Sequence, residues 1–318
     1  MVCWFHIVIN GLYGVGPVLV FSGTYGHAGV PIFFVISGFV IPYSLYRGRY
    51  TLSNFGRFVG KRIIRLDPPY LVTICLAILV PYVATRTGLH RGADIYHPDW
   101  IQVLAHLGYA NAFVGFPWLV GGFWSLAIEF QYYITLALVF PALLVRKPSA
   151  VAGLYLVAGA LALAFPQAYA LPIYLPLFLI GISGFRYYVL GVSRWELMLC
   201  LVYSGILTAY TEQPLYAAAG LLTCLCILFV TVSNRVLRFL GAISYSLYLS
   251  HQIFFSIPMA QGMRFLGNHA IVRYSLPLVT LAFCIAIAWC LYKAVELPAQ
   301  KLSTRLRYGV AKAHATVA

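Results

Sequence analysis

Long apolar runs follow one another along most of this chain, and they constrain its fold more than any other feature. A helix needs about 20 consecutive apolar residues to cross a hydrocarbon core about 30 Å thick, and several runs reach that length. Hydropathy windows predict ten spans: 2–21, 29–46, 68–85, 121–145, 150–166, 170–186, 195–211, 214–232, 239–258 and 272–292. The sequence therefore predicts an all-α membrane protein, a bundle of about ten transmembrane helices.

Composition excludes a soluble fold. Of the 318 residues, 62% are hydrophobic and 9% are charged, whereas a soluble domain carries about 25% charged residues. The seven cysteines lie in or beside apolar runs without the paired spacing of metal ligands, so we expect neither disulfides nor zinc. Residues 1–300 are expected to form one transmembrane domain, followed by a basic cytoplasmic tail over 301–318.

Positive charge gathers in a few loops and predicts how the chain is oriented. The net charge is +14, and arginine and lysine concentrate after the second, sixth and eighth predicted spans and in the C-terminal tail. Short loops rich in these residues stay on the cytoplasmic side. We therefore expect both termini in the cytoplasm and the chain in the inner (plasma) membrane. Topology and contact with anionic membrane lipids account for the excess charge, so nucleic acid is not an expected partner.

Three ionisable residues stand out within predicted spans, where a charged side chain costs about 2.5–3.5 kcal/mol. His6 is either a general base for a hydroxyl or an interhelical hydrogen-bonding group. Glu129 must be protonated, face a wet cavity, or pair with a cation in a helix-packing salt bridge. His251 shares a polar helix face with Ser244 and Tyr248, which suits either a site or simple packing.

The segment FGRFVGKRIIRLDPPY, residues 55–70, places cations just before the third predicted span. Lys61, Arg62 and Arg65 are candidates for binding a phosphate-rich ligand, because guanidinium groups match phosphate oxygens in pairs. Anchoring to lipid headgroups is the alternative. Trp124 and Tyr133, on either side of Glu129, are candidates for contact with substrate.

The long predicted outer loop, residues 86–120, is the expected region for meeting an acceptor, because it combines polar residues with aromatic rings that can stack on sugars. Ordinary solvated loops also carry such residues, so this interpretation has a plain alternative. The residues concerned are His90, Asp94, Tyr96, His97, Asp99, Trp100, His106 and Tyr109.

Five stretches, in this order, resemble the acyltransferase-3 family of integral membrane O-acyltransferases, which includes O-antigen and exopolysaccharide acetylases. They are HAGVPIFFVISGFVI (27–41), FGRFVGKRIIRLDPPY (55–70), WSLAIEFQYY (124–133), GAISYSLYLSHQIFF (241–255) and YKAVELPAQ (292–300). The resemblance extends over essentially the whole chain. It implies ten transmembrane helices with cytoplasmic termini, and transfer of an acyl group, commonly acetyl from acetyl-coenzyme A, to a hydroxyl of a carbohydrate, glycolipid or similar acceptor.

The resemblance also implies roles for single residues. His6 looks like the catalytic histidine of the family's first span, Arg62 and Arg65 fall on its basic segment, and Glu129 and His251 fall on two further family motifs. The family usually carries an arginine well before that histidine, whereas only five residues precede His6. Either the natural chain begins upstream of Met1, which we expect, or the protein lacks a donor-binding arginine.

A mechanism follows as an expectation. Acyl-coenzyme A enters from the cytoplasm and its phosphates bind Lys61, Arg62 and Arg65, with no metal and no permanently bound cofactor. His6 takes the proton of the acceptor hydroxyl, directly or through an acyl-enzyme. Glu129 orients an imidazole, pairs an arginine or binds sugar, and His251 is a second polar contact; all three are expected to share one interior cavity.

Two other functions stay open at the level of sequence. Buried histidine and glutamate residues also relay protons in transporters, so a proton-coupled transporter or flippase is one alternative. A catalytically inactive, truncated homologue that binds acyl groups or serves as a scaffold is the other.

Overall fold

The computed structural model describes residues 1–9, 14–88, 98–167, 169–267 and 269–306, and every regular element in these ranges is a helix. The α-helices are α1 Val2–Ile9, α2 Pro17–Gly23, α3 Gly29–Arg47, α4 Phe55–Arg86, α5 Trp100–Leu107, α6 Asn111–Val114, α7 Phe123–Leu143, α8 Pro148–Ala164, α9 Leu171–Phe185, α10 Arg194–Thr211, α11 Pro214–Phe229, α12 Arg235–Phe254, α13 Ser256–Leu266, α14 Ala270–Leu291 and α15 Leu297–Arg305. Most of the predicted basic tail, residues 307–318, lies outside the described residues.

Within the described ranges, five helical segments are long and apolar enough to cross a membrane: Pro17–Arg47, Leu52–Arg86, Phe123–Leu143, Leu171–Leu190 and Ala270–Arg305. Helices α8 and α11 are apolar but shorter. Helices satisfy their own backbone hydrogen bonds, which is what a lipid environment requires. The chain is a multi-pass membrane protein, while the count of ten spans and the position of the termini stay predictions.

The first predicted span, residues 2–21, is not one continuous helix. Helices α1 and α2 pack against each other, with Trp4 Nε1 donating to Ser22 Oγ at 2.9 Å and Val8 packed against Gly23. Gly14 adopts a left-handed φ of 57° shortly before Pro17 begins α2. Glycine permits that conformation and proline lacks the N–H that would continue a helix, so α2 begins as a separate helix.

Helix α4 runs through Pro68 and Pro69 without interruption. The basic segment and the third predicted span are therefore one helix, although the sequence predicts that the span begins at Pro68. With a rise of about 1.5 Å per residue, this helix is about 48 Å long and exceeds the thickness of a hydrocarbon core.

Helices α3 and α9 meet backbone to backbone at the centre of the molecule. A Cβ on Gly181 would lie 2.1 Å from the Val35 carbonyl oxygen, and one on Gly38 would lie 2.3 Å from that of Phe178. Small residues at such a crossing let two apolar helices approach closely in a membrane. Phe178 also stacks on Tyr132 of α7, so this contact ties the α3–α9 pair to the helix that carries Glu129.

Arg186, the last residue of the sixth predicted span, is buried at 1% exposure in the π-helical turn Arg186–Leu190. Its guanidinium pairs with Glu196 at 2.9 Å and donates to the carbonyls of Leu143 and Val145. These carbonyls follow the last turn of α7, where backbone acceptors lack helical partners. Arg186 thus joins α7, α9 and α10.

Candidate active site

His6 lies on α1 and is held by Gln252 of α12. Gln252 Nε2 lies 2.9 Å from His6 Nε2, and its Oε1 accepts the Gly122 backbone N–H at 2.9 Å. Because the backbone donor fixes the amide oxygen, the amide nitrogen must donate to His6. Nε2 is therefore the unprotonated nitrogen of His6, and its proton sits on Nδ1.

His251 lies directly behind His6 and is fully buried. The centroids of the two imidazole rings are 5.3 Å apart. His251 Nδ1 donates to the carbonyls of Tyr248 and Leu247, at 2.7 and 3.0 Å, and its Nε2 finds no hydrogen-bond partner among the described residues. The structure thus brings two of the predicted site residues together, with their imidazole rings side by side.

His6 opens onto a cavity of about 300 Å³ that we call the histidine cavity, lined among others by His6, His27, Trp124, Glu212, Tyr216 and Gln252. Trp124 packs in its wall against Tyr174, with ring centroids 5.4 Å apart. His27 Nδ1 and the Tyr216 hydroxyl are 3.0 Å apart. The cavity combines one basic nitrogen with aromatic and polar walls.

Glu129 lies in other cavities than His6. Its carboxylate accepts hydrogen bonds from Ser37 Oγ at 2.8 Å and from the Tyr133 hydroxyl. It lines a basic cavity of about 460 Å³, whose wall also holds Arg62, Arg65 and Arg238. The expectation that Glu129 shares one cavity with the two histidines therefore does not describe the structure.

The basic cavity gathers part of the predicted phosphate site. Arg62 is buried, lies over the rings of Phe58 and Tyr133, and leaves its Nε without a hydrogen-bond partner in the described part of the chain. Arg65, three residues along the same helix, shares its face. Lys61 is about 100° around the helix from Arg62 and is not part of the cavity wall.

A third, apolar cavity of about 340 Å³ lies between the other two. It shares Glu129 and Tyr245 with the basic cavity, and Phe34 and Tyr248 with the histidine cavity. The three cavities thus form one series, with arginines at one end and His6 at the other.

Comparison with known proteins adds a family to this geometry. The acyltransferase-3 family model, described as an acyltransferase domain, matches residues 1–295. This chain belongs to the acyltransferase-3 family.

Relatives within and around this family cover parts of the chain. The acyltransferase MdmB of Streptomyces mycarofaciens is 30% identical over 42% of this chain and 33% of its own length. The O-acetyltransferase OatA of Staphylococcus aureus is 33% identical over 39% of this chain and 22% of its own length. YrhL of Bacillus subtilis, whose name assigns it to peptidoglycan O-acetylation, is 36% identical over 34% of this chain and 18% of its own length.

The matched regions thus span a third or less of these curated relatives. No solved structure matches the fold.

The predicted acceptor loop of this family member is only partly described: His90, Asp94, Tyr96 and His97 lie outside the described residues. His106 is buried, with Nδ1 donating to the Gln102 carbonyl and Nε2 accepting the Leu119 N–H. The Tyr109 hydroxyl donates to Asp67. The polar atoms of His106 and Tyr109 are thus occupied by hydrogen bonds within the protein. Trp100 is exposed, and Asp99 caps α5.

Sequence reasoning missed Gln252, Arg238 and Glu212. Gln252 directly follows His251, and an amide beside a histidine in an apolar helix is itself a signal of a polar contact. Arg238 appeared only as a topological charge, because nothing in the sequence indicates that α12 approaches α4. Glu212 lies in a short loop between two predicted spans, and nothing in the sequence indicates that this loop approaches α1.

Proposed function

We propose that this protein is a membrane O-acyltransferase that moves an acyl group, acetyl in the simplest case, from acyl-coenzyme A to a hydroxyl of a carbohydrate or glycolipid acceptor. The observation that carries the proposal is the series of neighbouring cavities with buried Arg62 and exposed Arg65 at one end and the lone pair of His6 at the other. Family membership supports the acyl transfer. The names of OatA and YrhL support O-acetylation, and that of YrhL supports cell-wall glycan as one class of acceptor.

The donor binds with its phosphates at Arg62 and Arg65. Guanidinium groups pair with phosphate oxygens, and Arg62 has an Nε donor left over for such a ligand. The pantetheine arm then runs through the apolar cavity and brings the thioester to the histidine cavity.

The transfer step uses the lone pair of His6 Nε2. The acceptor hydroxyl displaces the Gln252 amide and gives its proton to Nε2 while its oxygen attacks the thioester carbonyl carbon. The carbon–sulfur bond breaks, the new ester leaves, and the coenzyme A thiolate takes the proton back from His6. Proton and charge are balanced after one cycle.

Glu129 and His251 have supporting roles in this scheme. Glu129 faces the two cavities that the donor occupies, which favours contact with the pantetheine arm or with Arg62 over contact with the sugar. His251 acts as a positioning residue, because its ring backs that of His6 and its Nδ1 proton is bonded to backbone carbonyls.

The proposed orientation follows from charge. In this proposal the protein lies in the inner membrane with ten spans and both termini in the cytoplasm. The arginine end of the cavity series faces the cytoplasm, because loops rich in cations stay on that side and coenzyme A is made there. The histidine cavity then faces outward, toward exported glycans.

Acyl turnover in membranes tests the proposal. Membranes containing the protein should release coenzyme A from radiolabelled acetyl-coenzyme A and label carbohydrate, and His6→Ala should lower transfer by about 10²–10⁴-fold. His269→Ala, at an exposed histidine, is the matched control and should keep full activity. Full transfer by a normally expressed His6→Ala variant, or proton-coupled flux without acyl turnover, would contradict the proposal.

A further inference from the structure

Glu212 is a carboxylate in the histidine cavity that the transfer step leaves without a role. It lies in the turn between α10 and α11 and is partly buried. No described residue donates a hydrogen bond to its carboxylate, and burial raises the pKa of Glu212 to about 7. A carboxyl group kept partly buried without a partner is a frequent sign of a ligand site.

Aromatic rings flank this carboxylate. Trp124 lies in the same cavity wall and packs against Tyr174 and Phe34, at centroid distances of 5.4 and 6.2 Å. Tyr174 and Tyr216 both lie within electrostatic range of Glu212. The wall therefore presents a rigid apolar surface beside a hydrogen-bond acceptor.

That combination matches the chemistry of a sugar ring. A pyranose has an apolar C–H face, which an aromatic side chain covers, and an edge of hydroxyl donors, which a carboxylate binds with stronger bonds than a neutral acceptor does. The His27–Tyr216 pair adds a donor and an acceptor at the same wall. A fatty acyl chain would leave Glu212 buried and unpaired, which is unfavourable.

We infer that Glu212 and Trp124 form the subsite for one pyranose ring of the acceptor, with Glu212 binding its hydroxyls and Trp124 covering its apolar face. This inference rests on the proposed function and assigns two residues to the binding of its acceptor. A cavity of about 300 Å³ is at the small end of ligand sites, so one ring enters and a longer glycan continues outside. His6 lines the same cavity and meets a hydroxyl of that ring.

Glycoside binding without any acyl donor tests this subsite. The full-length chain in nanodiscs is titrated with methyl glucoside, methyl galactoside and methyl N-acetylglucosaminide, followed by saturation-transfer difference NMR. At least one should bind, and Glu212→Gln and Trp124→Leu should each weaken binding by about tenfold or more. The controls Asp99→Asn and Trp100→Leu, at residues outside the cavity, should bind as the wild type does.

Two results would overturn the inference: no glycoside binds the wild type, or Glu212→Gln binds as tightly as the wild type. Because no donor is present, either can occur while acyl turnover succeeds, and turnover can fail while glycosides bind.

A melting curve shows whether the Glu212→Gln variant is folded. Burial disfavours the ionised carboxylate. Glu212 therefore destabilises the folded state most above pH 7, and this effect decreases as the pH falls toward 4.5. Glu212→Gln should therefore melt higher than the wild type at pH 8 and similarly at pH 5. If it does not fold, Glu212→Asp, which keeps the charge but shortens its reach, should show weakened binding instead, and undiminished binding would count against the subsite.

Discussion

At the scale of single residues, Gln252 determines which nitrogen of His6 carries the lone pair. The Gly122 N–H donates to the Gln252 amide oxygen, and the Gln252 amide nitrogen donates to the lone pair of His6 Nε2. A general base needs its free lone pair aimed at the proton it accepts, and a small misplacement costs much of the rate. Gln252 is thus a positioning residue for His6.

Replacing Gln252 with Leu should therefore lower kcat for acetyl transfer by about 10²-fold and leave the KM for acetyl-coenzyme A nearly unchanged. The matched control is Gln131→Leu, because Gln131 Oε1 also accepts a backbone N–H at 2.9 Å, from Leu171, but its residue is not part of the histidine cavity. Gln131→Leu should lower the melting temperature and preserve kcat. Equal losses of kcat in both variants would indicate a purely structural role for Gln252.

His106 makes the segment between α4 and α7 sensitive to pH. Burial lowers the pKa of His106 below its usual 6.5, because the charged form loses solvation. The folded state then binds this proton less readily than the unfolded state, so the stability it contributes is present above pH 6.5 and is lost as the pH falls.

The melting temperature of the wild type should accordingly fall between pH 7.5 and 5.5. The His106→Gln variant should melt at a lower temperature than the wild type at pH 7.5. Its melting temperature should fall less than that of the wild type between pH 7.5 and 5.5. His269→Gln, at an exposed histidine, should follow the wild type. An equally steep fall for His106→Gln would assign the effect to another group.

At the scale of elements, the glycine crossing of α3 and α9 brings the backbones of two helices into direct contact. Gly181→Ala places a methyl group against the Val35 carbonyl, a rigid backbone atom, so the helices must separate. We expect a loss of about 1–3 kcal/mol in stability, measured by thermal unfolding in detergent. Gly60→Ala, on α4 with open space around it, is the control and should be neutral or stabilising.

A normal melting temperature for Gly181→Ala would show that the crossing can relax.

The apolar sequence predicts α3 and α9 as separate spans, and residues 29–46 and 170–186 nearly coincide with the helices observed. It does not predict that they cross at Gly38 and Gly181, because hydropathy carries no information about which helices are neighbours.

At the scale of the whole molecule, Lys61, Arg62 and Arg65 differ in their position relative to the basic cavity, although the sequence predicts the same role for all three. Arg65 lies on the cavity wall and Lys61 does not. For an acyl-coenzyme A donor, Arg65→Ala should raise the KM for acetyl-coenzyme A by about tenfold, and less at high salt, because charge-assisted bonds to phosphate are lost and salt screens those that remain.

Lys61→Ala should change that KM less, and Arg57→Ala, an exposed cation of the same helix outside the cavity, should leave it unchanged. Steady-state kinetics in membranes distinguish the three variants. Equal effects of all three would indicate a diffuse electrostatic surface in place of a defined phosphate site.

The sequence by itself determined the fold class, the family, and the residues with chemistry to offer. The length of an apolar run depends only on local composition, so the sequence predicts the apolar helices. Lipid disfavours ionisable groups, so His6, Glu129 and His251 are recognisable as candidate site residues. Only the tertiary structure decided which of them meet. His6 joins His251 and Gln252, Glu129 faces the arginines, and Glu212 enters the histidine cavity from a distant turn. These groupings depend on the packing of helices far apart in sequence, and helix packing in a membrane follows surface shape and hydrogen bonding between helices.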